Sequence, residues 1–137
     1  MNKGDILYHR EFKFFNGDAS NKLLVILNTP PKIEVPYLVS KTTSNQQNKP
    51  QDPGCHLRES LFLIKANYDF FKKDTWLQFY DLYELDGRDL LKDKFNGLVE
   101  LCGTLREQTI NEVLNCIRKS EDVSDYHLKL IGQRGKN

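Results

Sequence analysis

Three histidines, His9, His56 and His127, are the side chains best suited to move protons near neutral pH, and they are scattered along the chain. His9 falls in an alternating segment that would show it on the polar face of a strand. His56 falls in residues 44–59, a stretch rich in amides, proline and glycine that reads as a long loop able to close over a substrate. There is no phosphate-cradling glycine loop, no dinucleotide fingerprint, no zinc-ligand spacing and no His-Glu-x-x-His. No nucleophile elbow points to a triad. Cys55, Cys102 and Cys116 are odd in number and match no zinc or redox spacing, so reduced thiols are expected, with Cys102 and Cys116 as apolar core filler. Trp76, Phe79 and Tyr80 read as core aromatics of a small strand-rich fold, with base stacking as the alternative.

The charge pattern leaves room for one class of partner. The net charge of +1 is uninformative, but residues 1–58 hold eight Lys/Arg against five Asp/Glu, and residues 59–137 hold twelve against fourteen. An N-terminal half at +3 permits a phosphate-bearing partner, although it is far from a dedicated nucleic-acid footprint. No run approaches the roughly 18 apolar residues of a membrane span, and the N-terminus lacks an apolar signal core, so a cytoplasmic protein without membrane contact is expected.

The elements that must position these groups are mostly strands. Residues 4–15 alternate, with Ile6, Tyr8, Phe12 and Phe14 on one face and Leu7, His9, Glu11 and Lys13 on a mostly polar one. Residues 22–28 are a continuous apolar run, the mark of a strand buried on both faces. Further strands are expected over 37–43, 60–65 and 74–79, then a helical turn and a short strand within 80–94, and a sixth strand over 98–102. Thr104 to Glu107 reads as a capping box opening a helix whose Ile110, Val113, Leu114 and Ile117 share one core face. A second short helix is expected within 121–131. One domain, 1–131, with a tail at 132–137, accounts for all 137 residues.

Certain segments, read in order, resemble a known family. The opening Lys3-Gly4-Asp5-Ile6 is similar to the Gly-Asp-Ile/Val start of MazF/PemK-type proteins. Lys22-Leu23-Leu24-Val25-Ile26-Leu27 lies where that family has Arg-Pro-Val-Leu-Val-Leu. Thr42-Thr43-Ser44 ends the third strand where it often has Thr-Ser. Thr75-Trp76-Leu77-Gln78-Phe79 leads on to Gly103-Thr104-Leu105, where the family has Gly-x-Leu at the start of its last helix. The chain thus resembles the MazF/PemK family over most of its length.

The resemblance implies a mainly β fold with a C-terminal helix, a small SH3-like barrel of five to six strands that often dimerises. It implies a metal-independent, cofactor-free endoribonuclease acting on single-stranded RNA, held in check by an antitoxin protein. In that chemistry a ribose 2′-hydroxyl attacks the adjacent phosphorus and the 5′-oxygen leaves, which calls for a cation, groups that move protons and a hydroxyl that holds the phosphate. Carried onto this chain, the resemblance gives Lys22 and Thr43 as catalytic; Arg10, in phase with Ile6, Tyr8 and Phe12, joins them from its place in the strand as a further cation. The substrate-binding set joins Thr42 and Ser44, from the matched Thr-Ser segment, with Lys41, His9 and His56, read from their own types and places. Lys22 stands at the family's arginine position and Leu23 at its proline, and lysine lacks the planar fork that grips two phosphate oxygens. The alternative is a catalytically inactive module of the same fold that holds a protein or nucleic-acid partner.

Overall fold

The computed structural model describes residues 1–132. Its elements in chain order are β1 (Asp5–Lys13), β2 (Ala19–Ile26), β3 (Tyr37–Thr43), β4 (Gly54–His56), β5 (Leu61–Ile64), β6 (Thr75–Leu85), α1 (Gly87–Phe95), β7 (Val99–Thr104), α2 (Glu107–Arg118) and α3 (Asp125–Ile131). The strands form one antiparallel sheet in the order β4-β5-β6-β3-β2-β1-β7. The sheet is open: β4 and β7 are its two edges and do not pair with each other, so the expected closed barrel gives way to a mainly β open sheet.

Both faces of the sheet are covered, which explains the unbroken apolar run in β2. Val25 and Leu27 enter one core with Ile6, Leu38 and Leu77, under Ile110, Val113, Leu114 and Ile117 of α2. Leu24 and Ile26 enter the other with Leu7, Val39, Tyr83 and Val99, under Leu90 of α1. Successive β residues point to opposite faces, so only a strand covered twice needs such a run. The same cover buries Leu7 and His9, which were expected on a polar face of β1.

Several local expectations shift for identifiable reasons. Within 80–94 the order is strand then helix, the reverse of the expected one: β6 runs on to Leu85, and the Asp86 carboxylate accepts from the Arg88 and Asp89 amides and starts α1 there. The capping box does not form. Thr104 stays in β7 and its hydroxyl donates to Asp5 at 2.7 Å. The amide at the head of α2, on Arg106, instead donates to the carboxylate of Asp69, 37 residues away in sequence. The apolar face read for α2 is buried as expected. A Cβ on Gly103 would lie 2.7 Å from the Phe70 ring, so only glycine admits that close packing. Gly132 ends α3, and the rest of the expected tail lies outside the described residues.

Cysteine chemistry also departs from expectation. Cys55 of β4 and Cys116 of α2 form a disulfide across 61 residues, and Cys102 is a free thiol exposed on edge strand β7 rather than core filler. Linear spacing carries no information about two cysteines that only the fold brings together. No helix of the described residues is long and apolar enough to cross a membrane.

Candidate functional site

Strands β2 and β3 are paired from Ile26↔Val39 to Leu24↔Lys41 and then part. Beyond that point the Thr42 hydroxyl donates to the Leu23 carbonyl at 2.7 Å, and the Lys22 ammonium donates to the Thr42 carbonyl at 3.1 Å. The parted strands leave a cavity of about 340 Å³ lined by Lys22, Thr42, Thr43, Ser44, Asn45 and Thr75, among others. The structure thereby brings together Lys22, Thr42, Thr43 and Ser44 of the expected site. Thr43 keeps its own O–H to donate, since its oxygen accepts from the Asn45 amide at 3.1 Å. Thr42 does not serve as expected: it is buried, and its hydroxyl is committed to Leu23.

The electrostatics of this face are cationic. Burial first, then the neighbouring ammonium groups of Lys41 and Lys49, push the Lys22 pKa below the ordinary lysine value. None of the ion pairs among the described residues involves Lys22, whereas Lys41 has Asp81 at 3.8 Å. Both ammonium groups sit by the Phe14 ring, Lys41 at 5.4 Å and Lys22 at 5.9 Å from its centroid, and Lys41 lies 5.2 Å from that of Tyr80. Lys22 and Lys41, the Thr43 hydroxyl and the rings of Phe14 and Tyr80 share this face, an arrangement that can hold an anion attached to something flat.

The other expected residues lie elsewhere. Arg10 is bound to the turn between α1 and β7, donating to the Gly97 carbonyl at 2.7 Å with Glu100 at 3.6 Å. A bulge in β1 between His9 and Phe12, with Glu11 at φ 56°, breaks the phase that was to align Arg10 with Ile6 and Phe12. His9 is Lys22's cross-strand partner, but its ring is buried edge-on against Phe12 and its Nδ1 is taken by the Arg10 carbonyl at 3.0 Å. His56 lies on edge strand β4 with its Nε2 on the Asp52 carbonyl at 2.6 Å, four strands from Lys22 in the sheet order.

Sequence reasoning missed Phe14 as a neighbour of the lysines, because strict alternation through residue 14 assigns it to the core. It missed Lys49, which nears Lys22 through the course of residues 44–53, the part of the expected 44–59 loop that precedes β4. Of the three aromatics weighed for stacking, Trp76 and Phe79 are buried and only Tyr80 is exposed. A scan against protein-family models matched none, and neither the curated proteins nor the solved structures gave a match.

Proposed function

We propose that this chain binds single-stranded RNA on the Lys22–Lys41 face, as a diverged relative of the MazF/PemK toxins whose sheet is open. The observation that carries the reading is the shared cavity of Lys22, Thr43 and Ser44, with Lys41 beside it over aromatic rings. Phosphates answer the cations and hydroxyls, and bases answer the rings. A cytoplasmic location, an antitoxin partner and a homodimer accompany this reading as further proposals.

A second reading is that the same face cleaves the strand without metal. It is favoured by Lys22, whose depressed pKa eases proton transfer, standing in one cavity with the Thr43 hydroxyl. Arg10 lies outside that cavity, so any charge on a phosphorane there would be met by lysine alone.

Lys22→Ala and Lys41→Ala are each expected to weaken binding of a labelled single strand uniformly across sequences. Each should flatten the slope of log affinity against log salt by about 0.7. Fluorescence anisotropy across a salt series measures both, and unchanged slopes in both variants would sink the RNA reading. The same strand incubated with protein in EDTA tests cleavage, which should be lost in Lys22→Ala and Thr43→Ala if the second reading holds.

The lysine shift adds a pH signature. A lysine with a lowered pKa gives up its proton earlier as pH rises, so wild-type affinity should begin to fall at a lower pH than that of Lys22→Arg, whose guanidinium stays charged. Superimposable profiles for the two proteins would show that Lys22 keeps its proton as long as an arginine does, and the lowered pKa would drop out of the account.

A further inference from the structure

We infer that the bases of the bound strand stack on an aromatic shelf formed by Phe15 and Tyr80, so that this face selects unpaired, base-bearing nucleotides over phosphate alone. The inference rests on the RNA reading above and names what that face discriminates.

Phe15 is 68 % exposed, the second most exposed of the large apolar side chains, yet it is held in place. Its inner face is stacked on the Tyr83 ring, with centroids 4.0 Å apart and planes 13° from parallel. Its amide donates to the Tyr83 hydroxyl at 3.2 Å. Tyr83 is buried and packs edge-on against Phe12 at 4.9 Å. One side of the Phe15 ring is therefore covered by a fixed partner and the other faces water.

Tyr80 is 46 % exposed and is held in a different way. Its hydroxyl accepts from the Gln78 side-chain amide at 2.8 Å, and the Lys41 ammonium lies 5.2 Å from its ring centroid. Burial first, then the Asp81 carboxylate and, more weakly, Tyr83 raise the Tyr80 pKa, so the ring that Phe15 covers is a neighbour of Tyr80. Lys41, beside Tyr80, also lies by the ring of Phe14, as does Lys22.

Single exposed apolar residues are ordinary, but pre-ordered rings gathered around cations are the arrangement that single-strand binders use. The lysines answer phosphates and cannot tell one polyanion from another. Ring faces engage every base, and they engage only bases that are not already stacked in a duplex.

The test is fluorescence anisotropy with two labelled probes, an oligoadenylate and an abasic ribose-phosphate strand of equal length. The proteins are wild type, Phe15→Ala, Phe15→Leu, Tyr80→Ala and Lys41→Ala, each checked for folding by circular dichroism. Wild type should prefer the oligoadenylate. Phe15→Ala and Tyr80→Ala should each lose about tenfold in affinity for it while keeping wild-type affinity for the abasic strand. Phe15→Leu should behave like Phe15→Ala, and Lys41→Ala should weaken both probes. The shelf is overturned if wild type binds both probes equally, if Phe15→Ala and Tyr80→Ala bind the oligoadenylate as wild type does or lose affinity for both probes alike, or if Phe15→Leu matches wild type. Wild type binding neither probe overturns the RNA reading itself, and the shelf with it.

Discussion

Replacing Trp76 by alanine is expected to cost about 3–5 kcal/mol of stability. The side chain is wholly buried against Leu61 and Leu63, beneath the course of residues 44–59. Its indole N–H donates to the Pro50 carbonyl at 2.9 Å, and its register partners are Leu63 on β5 and Thr43 on β3. Truncation therefore opens a cavity and frees an acceptor in the loop at once. Trp76→Phe keeps most of the packing and loses the donor, so a smaller cost of about 1–2 kcal/mol is expected. Trp76 is the only tryptophan, so the variants are compared by urea unfolding followed with circular dichroism. A loss under 1 kcal/mol for Trp76→Ala would mean that the loop is held by something else.

The second large effect comes from the disulfide. Cys55 and Cys116 close a loop of 61 residues, for which the loss of unfolded-state entropy amounts to about 4 kcal/mol. Adding dithiothreitol should lower Tm by roughly 10 °C or more. The variant with both cysteines changed to alanine should melt low and show no further response to reductant. Thiol titration of the unfolded chain should find only Cys102 without reductant and all of the cysteines with it. The bond ties the short edge strand β4 to α2 and borders a cavity of about 550 Å³ that also includes Ile64 and Tyr68. Unchanged melting in reductant would remove the bond from the account of what holds β4. It also bears on location: a disulfide persists most readily in an oxidising compartment, so its redox state in cells tests the cytoplasmic proposal directly.

Much of the architecture was legible in local pattern. The run through Leu24, Val25, Ile26 and Leu27 marked a doubly covered strand because alternation of side chains across a strand is obligatory. The spacing of Ile110, Val113, Leu114 and Ile117 marked a helix face because 3.6 residues make a turn. Lys22, Thr43 and Ser44 were drawn from the family resemblance, and they do share a cavity, because the turn between β2 and β3 returns the chain beside itself.

What only the tertiary structure decided involves one residue's relation to a distant one. The bulge at Glu11 breaks strand parity, which turns Arg10 towards β7 and frees Phe14 to meet the lysines. Asp69 supplies the partner at the head of α2 that Thr104 was expected to supply, and Cys55 meets Cys116 across half the chain. Periodicity reports which side of its own element a residue occupies; it carries nothing about which other element arrives there, and a single inserted residue inverts even the first kind of information.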